Sequence, residues 1–77
     1  MENSQSYESE ERLQRVYDEG RQLFLQGNYV ESVERFSGIY RVDLFYRDVV
    51  EIVHEFYEKP RSEWIAKYTP RFEIGAN

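Results

Sequence analysis

Seventy-seven residues are enough for one small domain, and this chain has no cysteine, a single histidine (His54) and a formal net charge of −5. Disulfides, thiolate zinc sites, cysteine nucleophiles and any site needing two histidines are thereby excluded within one chain. The acidic balance argues against nucleic acid, whose phosphates are gripped by clustered Lys and Arg. No apolar run approaches the roughly 20 residues that span a bilayer, and the opening MENSQSYESEER is neither basic nor apolar, so neither membrane nor signal peptide is expected and a cytoplasmic location is.

Residues 1–9 are polar and without periodicity, which predicts disorder. From Leu13 the apolar positions Leu13, Val16, Tyr17, Gly20, Leu23 and Phe24 recur at helical spacing and predict a first helix over 9–26. Glu10 and Glu11 suit the positive end of its dipole. Gly20 sits mid-helix, where it costs about 1 kcal/mol relative to Ala; such a glycine marks a close approach by another helix. Gly27 fits the position just past a helix end, and Asn28 with Glu31 offers an Asn-x-x-Glu capping box for the next.

The second helix, ending near Val42, carries Tyr29, Val33, Phe36, Ile39 and Tyr40 on one side with Ser32 beside them. The link of one or two residues makes the pair antiparallel. Asp43 is the next N-cap candidate, for a third helix ending near Glu58 with Tyr46, Val49, Val50, Val53, Phe56 and Tyr57 on its stripe and Ile52 off it. Pro60 cannot continue that helix. Ser62 can cap a short helix, Glu63 to Tyr68, which Pro70 stops; the rest of the tail reads as irregular, with Trp64 or Phe72 folding back. The expected fold is all-α: a helical hairpin, a third helix and a short C-terminal helix, with a three-helix domain over 10–58 and a tail over 59–77.

No arrangement of catalytic groups stands out. Carboxylate pairs such as Glu10/Glu11 and Glu31/Glu34 fall on polar helix faces, and His54 falls on an exposed one. Neither a glycine-rich phosphate loop nor a Gly-x-Ser-x-Gly elbow occurs. No catalysis, cofactor or metal is expected. Lys59, Arg61, Lys67 and Arg71 lie among Trp64, Tyr68 and Phe72, a mix that can stack on single-stranded nucleic acid, but Glu58, Glu63 and Glu73 dilute it. Aromatics make up 17% of the chain; one small core struggles to bury them all, which points to an interface.

Residues 13–44 resemble a tetratricopeptide repeat. Gly20 falls on the family's small position in the first helix and Leu23 on the large one that follows. Gly27 stands at the turn, Tyr29 two after it, Ser32 at the usual alanine and Phe36 at the aromatic position, while Ile39 stands where a second small residue is common. The stretch Leu25-Gln-Gly-Asn-Tyr-Val-Glu-Ser-Val-Glu-Arg-Phe is the most family-like. Val16 and Glu19 depart from the pattern, as does Leu44 in place of a proline. Residues 43–53 resemble the helix that covers the last repeat.

The resemblance implies a protein-interaction module, an adaptor or regulatory subunit, binding a protein or peptide on its first helix through Gln14, Tyr17, Asp18, Arg21 and Leu25. Arg21 stands where the family's carboxylate clamp has Asn and Tyr17 where it has Lys, so that clamp is absent. A single repeat with a covering helix barely buries its faces, so a homodimer or constitutive docking is expected. A structural homo-oligomer, or an inhibitor covering a partner's site, is the alternative.

Overall fold

The computed structural model describes residues 2–75, with side chains from 9 to 74. Within them the chain is all-α, with helices α1 (Glu2–Leu25), α2 (Tyr29–Val42), α3 (Val49–Glu58) and α4 (Arg61–Gly75). Helix α1 packs on α2, α2 on α3, and α4 packs against both α3 and α1. The described side chains share one core, which includes Tyr17 and Phe24 of α1, Phe36 and Ile39 of α2, Ile52 of α3, and Trp64, Tyr68 and Phe72 of α4.

The α1–α2 crossing is as close as Gly20 suggests. A Cβ at Gly20 would meet three atoms of the Phe36 ring at 2.7, 2.9 and 3.0 Å. Beside it the fully buried Ser32 donates its hydroxyl to the Gly20 carbonyl oxygen at 2.7 Å. Gly27 ends α1 with a φ of +89°, the left-handed region that favours glycine. Its N–H donates to the Phe24 carbonyl and that of Asn28 to the Leu23 carbonyl, at 2.9 and 2.8 Å. These two bonds form a Schellman motif that satisfies α1's last carbonyls.

Several local expectations need correction. The backbone is helical from Glu2, so α1 takes in residues 2–9; the first buried side chain among those described is Leu13. Asn28 precedes α2 but its side chain makes no capping bond; its amide donates to Gln26 instead, and the Asn-x-x-Glu box does not form.

Asp43 does not open α3. Its carboxylate accepts from the Phe45 N–H at 3.0 Å, an Asx turn that holds 43–48 as a connection, and α3 begins at Val49. With that later start Ile52 lies inward, fully buried, and its carbonyl accepts the Trp64 indole N–H at 3.0 Å, while Tyr57 points outward.

Helix α4 is 15 residues long and runs through Pro70. Its first turn is closed on the Pro60 carbonyl, which accepts from Glu63 and Trp64, rather than on Ser62. Pro70 lies on the exposed side, so the carbonyl it leaves unbonded one turn earlier, on the exposed Ala66, faces water. Phe72 beyond it is buried against Tyr17, Phe24 and Phe36. Burial of that ring outweighs the proline's local preference. Residues 59–75 therefore complete the core rather than trail from it.

Candidate functional site

The five residues that the repeat resemblance assigns to a ligand do not form one accessible face. Tyr17 is buried, and its hydroxyl donates to Asp48 Oδ1 at 2.7 Å. Burial first, and the Asp48 carboxylate second, push that hydroxyl well above the usual tyrosine range. Arg21 is only 8% exposed; it pairs with Asp18 at 3.1 Å and donates to the Phe72 carbonyl at 3.2 Å. Tyr17 is engaged by the α2–α3 connection through Asp48 and Arg21 by α4 through the Phe72 carbonyl. The sequence predicts α4 only as a short helix over 63–68; its continuation to Gly75 brings Phe72 against this face of α1.

Of the other three, Gln14 is exposed and accepts from the Arg47 guanidinium at 3.3 Å, Asp18 is half-buried, and Leu25 is at the end of α1, 37% exposed. Along the same helix Arg15, Glu19 and Gln22 line a shallow groove that Arg35 of α2 closes by pairing with Glu19 at 3.4 Å.

Three of the tail's four basic residues, Arg61, Lys67 and Arg71, are likewise engaged. Lys67 bridges Glu51 and Glu55 at 3.1 and 2.8 Å, and Arg71 bridges Asp48 and Glu51, each at 3.3 Å. Tyr68 donates its hydroxyl to the other oxygen of Glu55 at 2.9 Å. Hydrogen bonds from Lys67 hold both glutamates below the usual carboxylate range, against the opposing effect of desolvation. Arg61 lies over the Phe56 ring, 4.2 Å from its centre. This lattice fastens α4 to α3, so the basic–aromatic mix of the tail is an internal seam.

His54 hydrogen-bonds the exposed Tyr40 hydroxyl at 3.1 Å on the outside of the α2–α3 pair. Among the described residues no group of three or more His, Cys, Asp or Glu stands close enough to hold a metal, and no helix is long and apolar enough to cross a membrane.

What the molecule does expose is the α2–α3 connection. Phe45 is 87% exposed, with Val42 and Leu44 beside it in sequence and also exposed. The turn is well fastened: Asp43 N–H donates to the Ile39 carbonyl, Tyr46 N–H to the Asp43 carbonyl and Val49 N–H to the Tyr46 carbonyl. Arg47 holds a φ of +45°, a conformation that costs a non-glycine residue about 1–3 kcal/mol and persists only where surroundings enforce it. Here its guanidinium lies over the Tyr17 ring, 4.9 Å from the centre, and Tyr46 packs edge-on against the same ring. The result is a fixed corner with Leu44 and Phe45 on the outside, bordering a shallow concavity completed by Val50 and Glu51. Sequence reasoning missed these residues, although both Leu44 and Phe45 fall off the helical stripe that begins at Tyr46. No family model matches the chain, and no curated protein or solved structure matches it either.

Proposed function

We propose that the protein is a small, non-catalytic interaction module, an adaptor or regulatory subunit of tetratricopeptide-like design acting in the cytoplasm, and that it docks another protein on the α2–α3 corner rather than along α1. The observation that carries this reading is Phe45, 87% exposed on a turn fastened from both sides, in a chain whose Trp64, Phe24, Phe36 and Phe72 are all buried. Large aromatics contribute much of the binding energy at the centres of protein interfaces, and a rigid turn presents them with little ordering cost. The hairpin, with its small-residue crossing at Gly20 and Ser32 and its covering helix, fits the resemblance.

A photo-crosslinking side chain placed at position 45 tests this in extract of the source cells, with position 30 as control, since Val30 is also exposed but lies on the far end of α2. A discrete adduct formed from position 45 and not from 30 is expected. No adduct, or equal smears from both, would sink the assignment of the corner.

A further inference from the structure

Helix α4 sits on the other three helices as a ligand sits in a groove. Its anchors Trp64, Tyr68 and Phe72 recur every four residues and are each no more than 1% exposed. Trp64 is packed by Phe24, Tyr29 and Phe56, and Phe72 by Tyr17, Phe24 and Phe36. Lys67 and Arg71 each stand one residue before an anchor and pair with Asp48, Glu51 and Glu55, while the Trp64 indole donates to the Ile52 carbonyl. The body formed by α1, α2 and α3 therefore reads a helix with three aromatics and two bases at set spacing, and α4 supplies it.

The joint that ties α4 to this body differs from the other two connections. The α1–α2 turn is closed by the bonds of Gly27 and Asn28, and the α2–α3 connection by those of Asp43, Phe45, Tyr46 and Val49. Between α3 and α4 stand only Lys59 and Pro60. The Lys59 N–H closes α3 on Glu55, and the Pro60 carbonyl opens α4 by accepting from Glu63 and Trp64. Among the described residues no backbone hydrogen bond spans the Lys59–Pro60 peptide, and Pro60 has no N–H to offer one. Lys59 is extended, with φ −104° and ψ 156°, as a residue before proline prefers. Rotation at this joint moves α4 as a unit without breaking a backbone hydrogen bond.

We infer that α4 is exchangeable between copies of this chain: released from its own body, it seats in the same groove of a second copy, whose α4 seats in the first. Every contact of the closed chain is then remade between copies about a two-fold axis. No new contact is needed, so concentration sets the balance. An α4 tethered through a short joint competes as if present at about 1 mM or more. The closed monomer dominates below that concentration, and the exchanged dimer forms when chains refold together near or above it. Once formed it is trapped, because reversal must again expose Trp64, Tyr68 and Phe72. The exchange is independent of the α2–α3 corner, which takes no part in it.

Two charge reversals test it. Lys67→Glu sets a carboxylate against Glu51 and Glu55 of the same chain, and Glu55→Lys sets a cation against Lys67. Each variant alone keeps its clash, closed or exchanged. In a mixed exchanged dimer the unaltered body of the first receives the unaltered α4 of the second, and the two altered side chains meet as opposite charges. The variants, unfolded together in urea and refolded as a mixture, should give a dimer of twice the 9.4 kDa monomer by sedimentation velocity. It should appear at roughly a tenth or less of the concentration that the parent needs, since two seams are repaired at once. It should persist on dilution, and folded chains mixed without urea should form it only slowly. Circular dichroism checks that each variant keeps its helix content. Where one does not, the parent refolded at about 1 mM or above decides alone: a dimer that survives dilution is expected, and monomer only overturns the exchange. A folded pair that refolds only to monomers, or a dimer that forms at once from folded chains and dissociates on dilution, overturns it as well.

Discussion

Replacing Gly20 by Ala sets two opposing effects against each other. In an isolated helix Ala is favoured by about 1 kcal/mol. In this protein the new methyl would stand 2.7–3.0 Å from three atoms of the Phe36 ring, so ring or backbone must shift by several tenths of an ångström. Phe36 has nowhere easy to go: it is fully buried, edge-on to Tyr17 at 5.2 Å and stacked on Phe72 at 5.7 Å between ring centres. Spreading the helices instead would stretch the 2.7 Å Ser32–Gly20 hydrogen bond. Overpacking a filled core costs typically about 1–3 kcal/mol. The net expectation is a loss of up to roughly 2 kcal/mol once the propensity gain is subtracted. For a domain of this size, each kcal/mol lowers Tm by roughly 4–8 °C. Urea unfolding followed by far-ultraviolet circular dichroism measures it. In a Phe36→Leu background the same substitution should become neutral or stabilising, leaving a coupling of about 0.5–3 kcal/mol in the double-mutant cycle. A Gly20→Ala variant more stable than the parent would show that α1 and α2 do not cross at this distance.

Acid should loosen the α3–α4 seam. Because the folded carboxyls of Glu51 and Glu55 lie below their ordinary value of 4.5, their contribution is present above that pH and is lost as pH falls through the lowered values. Urea midpoints measured between about pH 2.5 and 7 should therefore drop at the acid end, and Lys67→Met should flatten that drop. At the alkaline end, the buried hydroxyls of Tyr17 and Tyr68, raised above the ordinary 10.0 mainly by burial, favour the fold below that pH and oppose it above. Their ionisation, followed by phenolate absorbance, should accompany unfolding, and a Tyr17→Phe, Tyr68→Phe chain should lack the late phase. Trp64→Ala removes a ring packed by all four helices and should cost about 3–5 kcal/mol, enough to leave a domain this small largely unfolded in thermal scans; a cooperative transition within a few degrees of the parent would refute that placement.

The helical hairpin was readable because its signals are local and mutually consistent. Three-and-four spacing marked the inner faces of α1 and α2, Gly27 supplied the positive φ at the turn, and Gly20 anticipated the ring of Phe36. The errors lie where a distant contact outvotes a local preference. Pro70 argues against a helix on its own, yet burial of Phe72 carries α4 past it. Asp43 is an acceptable N-cap by type, and its carboxylate is instead taken by the Phe45 N–H. That choice delays α3 and turns Ile52 inward. The site followed the fold. With α4 read as ending at Tyr68, Tyr17 and Arg21 looked like an open surface, and Phe45 passed unremarked because exposure of a single ring leaves no periodic trace.

The lone indole of the chain has a use beyond packing. Trp64 lies 5.0 Å from Phe24, 5.9 Å from Tyr29, 4.9 Å from Phe56 and 6.0 Å from Tyr68 between ring centres, so it touches an aromatic from each of the four helices. Its emission is consequently a coincidence detector. Until α4 docks on the hairpin the ring stands in water and should emit red-shifted, and a blue-shifted band is expected only when all four helices have met. Stopped-flow refolding recorded by circular dichroism and by tryptophan emission then times two different events, helix formation and closure of the ring, on a single unlabelled chain.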